Sequence, residues 1–272
     1  MKDVRTCIAT AAAILAPATM IGVDLTDGAT RPGYQLTRHW ISHLSLGDRG
    51  WLGTVKLVAV GLLIVAIAIG LRDRARAAGE TPRGATWKSV ALAGLALVST
   101  AAFPIDPGLD YPPGAIGRQT WHGGLHDLAG LLVVAALTVT AWRLGRDLDP
   151  RGATVRAAIT HAGQRADADA EPAAGDDTDA ISESGIDERT DPTAGPASGQ
   201  LVDTGGQPTG WRDVGRGVAA LVLTAFLTCA TLVTLDHAGL FPGAPAGVFE
   251  RIAIYAGIAW LGAAGTRLLT RP

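Results

Sequence analysis

The chain has 272 residues, 48% of them hydrophobic and only 18% charged, with a positive mean hydropathy of +0.26. That is too apolar and too poor in charge for an average soluble globular domain. The formal net charge of −2 leaves no basic excess for nucleic acid, and the two cysteines, Cys7 and Cys229, both fall in apolar runs where a thiol packs as a small hydrophobe.

Apolar blocks of about 20 residues, enough to cross roughly 30 Å of hydrocarbon, follow one another along the chain. The first runs from about Thr6 to Val23. Lys2, Arg5 and Ala16-Pro17-Ala18 give it some look of a signal peptide. It stays apolar through Met20 to Val23, however, past the usual h-region of about 7–15 residues, and reads as a retained helix. A loop follows with Arg31, Arg38, Arg49 and the run His39-Trp40-Ile41-Ser42-His43. The second block is Trp51 to Leu71, and the third, Trp87 to Ile105, is closed by the prolines of Phe103-Pro104-Ile105-Asp106-Pro107. The fourth spans about Leu125 to Trp142 and carries His122, His126 and Asp127 at its mouth.

From about Asp147 to Gly210 the composition turns to Asp, Glu, Ala, Gly, Pro, Ser and Thr, with no aromatic before Trp211. Such a stretch buries too little apolar surface to offset the entropy of ordering and is expected to be disordered. Its acidic run at Asp176, Asp177 and Asp179 alternates with small residues and lacks a coordinating-loop pattern, so it reads as a solvated linker. The fifth and sixth blocks run from about Val214 to Leu235 and Val248 to Leu269. The expectation is therefore an all-α polytopic membrane bundle of six transmembrane helices. It comprises helices one to four over 1–145, an acidic cytoplasmic linker over 146–210, and helices five and six over 211–272.

Lys and Arg are retained on the cytoplasmic side during insertion. Arg72, Arg74, Arg76, Arg83 and Lys88 crowd the connection between blocks two and three, whereas Arg118 stands alone between three and four. With Lys2, Arg5, Arg143, Arg146, Arg267 and Arg271, this places both termini in the cytoplasm. Arg31, Arg38 and Arg49 fall on the opposite, exterior side and weaken the pattern without reversing it.

That exterior side also collects the chemistry-bearing residues. His39/His43 and His122/His126 are spaced by four, which puts each pair on one face of a helix. Ser42, Asp106, Asp127, Glu250 and Arg251 belong to the same layer, and His237 adds a lone ring there. Several imidazoles with a carboxylate suit zinc, with His39, His122, His126 and Asp106 as candidate ligands. Ser42, Asp106 and Glu250 are then the candidate catalytic groups. The same residues equally suit a metal-free polar pocket or a structural polar layer among interfacial tryptophans. Bis-histidine haem fits poorly, because nothing in the opposite half of the membrane could hold a second haem.

The order of these elements carries a resemblance. Tyr34 with His39-x-x-Ser42-x-Leu44, then Phe103-Pro104-x-Asp106-Pro107, His122-x-x-x-His126 and Phe249-Glu250-Arg251 resembles the prokaryotic six-helix membrane family catalogued as domain of unknown function 998. The resemblance covers about residues 5–145 and 211–270. It implies that His39, Ser42, Asp106, His122, His126, Glu250 and Arg251 belong together, and it supplies no activity. The chain departs from the family pattern at His43 and over Leu44-Ser45-Leu46-Gly47, and the linker looks like an insertion. In residue type alone the set is also similar to zinc-dependent membrane hydrolases such as the alkaline ceramidases.

The leading expectation is a multi-pass protein of the bacterial plasma membrane, in contact with lipids, whose exterior polar site has a binding or structural role. The alternatives are a zinc-dependent hydrolase acting on a lipid or amide, and a transporter. A transporter calls for ionisable residues near mid-membrane and broken helices, and the block interiors contain neither clearly.

Overall fold

A computed structural model describes residues 4–79, 86–149 and 210–271. Its helices are α1 (Val4–Thr30), α2 (Gly50–Ala77), α3 (Thr86–Ala102), α4 (Trp121–Leu148), α5 (Trp211–His237) and α6 (Ala246–Thr270), with a short 3-10 turn at Ile41–Ser45. Five are long and apolar enough to cross a membrane, α3 being the shorter one. Its 17 residues rise only about 26 Å. Pro104 accounts for that length, since it lacks an N–H and steers Phe103 out of the helical region. The expected acidic linker lies outside the described residues except at its ends, where α4 continues through Leu148.

α1 also outruns its apolar block. Asp24 and Asp27, which the sequence assigns to a loop, lie inside the helix and are buried, at 0% and 4% exposure. They are tolerated because each carboxylate meets two cations, Lys56 and Arg251 for Asp24, Arg31 and Arg49 for Asp27.

Each helix packs on the next in sequence, and α6 closes the ring on α1 while also touching α4 and α2. α6 is the most enclosed of the five long helices and α5 the least. Small residues let the backbones approach. Gly145 and Gly215 face each other across α4 and α5, where a Cβ on Gly215 would come within 2.7 Å of Gly145 Cα. On α1, Ala9, Ala12, Ala13 and Ala16 form a buried face with Met20. The outer face of α5 shows Leu221, Leu223 and Leu227 with Thr224, Thr228, Thr231 and Thr234. Each of these threonine hydroxyls donates to the carbonyl four residues back, leaving no unmet donor toward lipid.

The C-termini of α1, α3 and α5 and the N-termini of α2, α4 and α6 share one end of the bundle. The connections 31–49 and 103–120 fold over it around a small cluster of Tyr34, Leu44 and Tyr111.

Candidate functional site

The capped end is built on an ionic knot about 8–9 Å inside the helix ends, counting six residues from Asp24 to the end of α1 and from the start of α2 to Lys56. Asp24 Oδ1 accepts from Lys56 Nζ at 3.0 Å, and Oδ2 accepts from Arg251 Nε at 3.0 Å. The Tyr255 hydroxyl also donates to Asp24 Oδ2. Lys56 and Asp24 are wholly buried, so the pair has no access to water.

Arg251 spends its remaining donors on the covering loop. Nη1 reaches the carbonyls of Leu36 at 2.6 Å and His39 at 2.8 Å, and Nη2 reaches the Tyr34 hydroxyl. Tyr34 in turn donates to the Trp40 carbonyl at 2.8 Å. Its neighbour Glu250 accepts from the Ile41 N–H through Oε2 at 2.7 Å. The two adjacent charges of α6 therefore grip one stretch, 34–41, from both sides. Gly247, one turn earlier, is required by this approach, because a Cβ there would lie 2.4 Å from the His39 carbonyl oxygen.

The arginines of the first loop are all engaged. Arg31 and Arg49 flank Asp27 at 2.5 and 2.8 Å, and Arg38 bridges Asp110 and Asp236 at 2.9 and 3.1 Å.

His39 and His43 come together without a shared helical face, since residue 39 precedes the 3-10 turn; their ring centroids are 6.0 Å apart. His39 Nδ1 accepts from the Gln35 N–H at 2.9 Å, so Nε2 carries the hydrogen and donates to the Leu109 carbonyl at 3.0 Å. Leu109 and Asp110 both sit at positive φ, 54° and 62°, in the turn that presents this carbonyl. His43 is completely enclosed and stacks on Trp40 with centroids 5.2 Å apart, and neither of its nitrogens has a hydrogen-bond partner. Burial pushes its pKa down to about 3, helped by the nearby His39, His126 and Arg251 charges. His39 is lowered in the same direction, chiefly by burial.

Asp106 is a cap for the following helix. Its Oδ2 accepts from the Thr120 N–H at 2.7 Å and its Oδ1 from the Thr120 hydroxyl at 2.6 Å. Thr120 Oγ1 itself accepts from the Gly123 N–H at 3.1 Å at the start of α4. Burial works to raise the Asp106 pKa, but the Thr120 bonds outweigh it and hold the carboxyl below its ordinary value. His122 Nδ1 lies 2.7 Å from Thr120 Oγ1, on the same outer cap. His237 is exposed and bonds to the Val233 carbonyl of its own helix.

His126 faces inward. Its Nδ1 donates to the carbonyls of Thr100 and Phe103 at the end of α3, at 2.8 and 2.9 Å, which leaves Nε2 as the ring's acceptor. Among the described residues, no three His, Cys, Asp or Glu side chains gather closely enough to hold a metal ion. Of the four candidate ligands, His39 has both nitrogens engaged, Asp106 and His122 belong to the outer cap, and His126 points elsewhere.

His126 points to a cavity of about 330 Å³. Met20, Leu57, Leu97, Val133, Val134, Phe226, Val233 and Ile254 make its walls, so all six helices contribute. Trp40, Ser42, Thr100, His126, Asp127 and Glu250 supply the polar atoms. Leu131 of α4 and Ala230 of α5 edge it and are exposed on the outer surface, so it opens sideways between those helices. Glu250 is partly buried and lines the cavity, with its Oε2 held by the Ile41 N–H. Ser42 and Asp127 make no hydrogen bond or ion pair among the described residues and line the same space.

Six packed helices, five of them able to cross a membrane, define an all-α multi-pass membrane protein. The family described as "Protein of unknown function (DUF998)" matches residues 14–163, more than half of the chain, and the protein belongs to that family. The matched span holds His39, Ser42, Asp106, His122 and His126; Glu250 and Arg251 lie beyond it. No curated protein and no solved structure matches the chain.

Asp24, Lys56 and Tyr255 were not expected at this site. Lys56 carried a readable signal: it is the lone charge of its apolar block, and an ionisable residue inside a membrane segment needs a buried partner. Nothing local marks Asp24 as that partner.

Proposed function

We propose that this protein binds one amphiphilic molecule, taken from the surrounding membrane, in the cavity that all six helices line. The observation that carries this reading is the cavity itself: about 330 Å³ of mainly apolar wall, opening toward lipid, with polar atoms at one end. That volume is at the low end of the range of about 300–1,000 Å³ typical of small-molecule sites. An apolar body then rests on Leu97, Val133, Val134 and Phe226, while its head meets Ser42, His126, Asp127 and Glu250. The ionic knot of Asp24, Lys56 and Arg251 supports the site by fixing the covering loop that carries Trp40 and Ser42. With the cation-rich connection between α2 and α3 in the cytoplasm, the cavity belongs to the exterior half of the membrane.

Gly130 allows a direct test. It lines the cavity, and a Cβ there meets nothing within 4 Å, so a large side chain has room there and is expected to take up part of the site. Dodecanol binding to the protein in phosphatidylcholine nanodiscs should saturate at one molecule per chain and should be lost in Gly130→Phe. Equal uptake by wild type, Gly130→Phe and empty nanodiscs would contradict the reading.

A further inference from the structure

The charges around the cavity are one-sided. Asp127 and Glu250 both line it, and no Lys or Arg does. The guanidinium of Arg251, the residue after Glu250, makes its hydrogen bonds to Asp24, Tyr34 and the Leu36, His39 and Gly247 carbonyls. Glu250 has a single donor, the Ile41 N–H on Oε2. Asp127 has none among the described residues, and no cation pairs with it. The ring of His126 adds a third acceptor, because two carbonyls fix its hydrogen on Nδ1. A carboxylate enclosed in protein needs donors or an opposite charge. Glu250 is partly buried and takes one N–H, with the Arg251 and Lys56 charges committed mainly to Asp24, whereas Asp127 is exposed at the cavity's edge and takes none among the described residues.

A phosphate or carboxylate head would meet two like charges here, whereas an ammonium brings three donors and a compensating charge. From this charge complementarity, and resting on the amphiphile-binding reading above, we infer that the cavity selects a cationic amphiphile: a long-chain primary amine whose ammonium sits between Glu250, Asp127 and the Nε2 of His126. The tail follows the apolar wall toward the opening between α4 and α5. Ser42 is placed to accept or donate to any hydroxyl beside the amine.

The test compares three probes of equal chain length, dodecylamine, dodecanol and dodecanoate, on the full chain in phosphatidylcholine nanodiscs at pH 7.5. Uptake by Gly130→Phe nanodiscs is subtracted to remove partitioning into the lipid. The amine should bind at least about tenfold more tightly than the alcohol, and the carboxylate should be the weakest. In Glu250→Gln/Asp127→Asn the amine should lose that advantage while the alcohol binds as before; Gln keeps an acceptor for the Ile41 N–H. Asp127→Asn alone should show an intermediate loss and covers the case in which the double variant does not fold. Equal binding of amine and alcohol to wild type, or a preference for the carboxylate, would overturn the inference about the head and leave amphiphile binding intact. Failure of all three probes to bind wild type would overturn both.

Discussion

Replacing Asp24 is the most searching perturbation of the fold. Asp24→Asn keeps the shape of the side chain but strands two cations, Lys56 at 0% exposed and Arg251 at 6%, with no carboxylate between them. Removing one partner of a buried ion pair costs about 3–5 kcal/mol. With a shift of about 2–4 °C per kcal/mol for a chain of this size, the midpoint of thermal unfolding should fall by roughly 6–20 °C. Lys56→Met should be milder, under about 2 kcal/mol, because Asp24 keeps Arg251 Nε and the Tyr255 hydroxyl. Asp24→Asn/Lys56→Met should recover at least about 1 kcal/mol relative to the sum of the single variants, since it removes a stranded charge. Intrinsic fluorescence of the 7 tryptophans during heating in detergent reads all three. An Asp24→Asn midpoint within 2 °C of wild type, or a double variant no better than additive, would refute the electrostatic reasoning.

The remaining predictions concern the cap, its pH response and metal content. His43, held to a pKa of about 3 against an ordinary value of about 6.5, refuses in the folded state a proton that the unfolded chain accepts. Stability should therefore be complete above about pH 6.5 and fall by up to about 1.4 kcal/mol per unit as pH drops toward 3, with His39 adding in the same sense. Midpoints at pH 7, 6 and 5 should converge less steeply in His43→Phe; parallel curves for the two proteins would count against the assignment. At the start of α4, Thr120→Ala should cost about 0.5–2 kcal/mol through loss of the cap. Gly123→Ala should be harmful in wild type, where a Cβ would meet Asp106 Oδ2 at 2.0 Å, and tolerated once Asp106 is alanine. Thermal midpoints of the single and paired variants check both. Because His39 has no free nitrogen and the candidate ligands are divided between two places, elemental analysis should find no stoichiometric zinc. One zinc per chain, lost in His122→Ala/His126→Ala, would show that the side chains rearrange into a metal site.

The helices were legible because apolar runs of bilayer length leave few alternatives. Their ends were less so. Asp24 and Asp27 look like loop residues until Lys56, Arg251, Arg31 and Arg49 are seen around them, and Arg251 lies 227 positions away from Asp24. The residues that the sequence singles out lie at one end of the bundle, but their partners there are not legible from spacing. Asp106 bends back to cap α4 because Pro104 and Pro107 turn the chain there, and its partner Thr120 carries no catalytic signature. His39 and His43 meet through a turn instead of a helix. The cavity, built from all six helices, has no footprint in local spacing; only Ser42, His126, Asp127 and Glu250 on its polar side stood out beforehand.

The central claim is that one amphiphile occupies the cavity, and native mass spectrometry of the protein released from its own membrane tests it most directly. Wild type should carry a mass increment of one small amphiphile per chain. Gly130→Phe should lack it while unfolding at no lower temperature, since replacing a mid-helix glycine favours the helix by a few tenths of a kcal/mol. Bare wild-type protein, or the same increment on both proteins, would contradict the account.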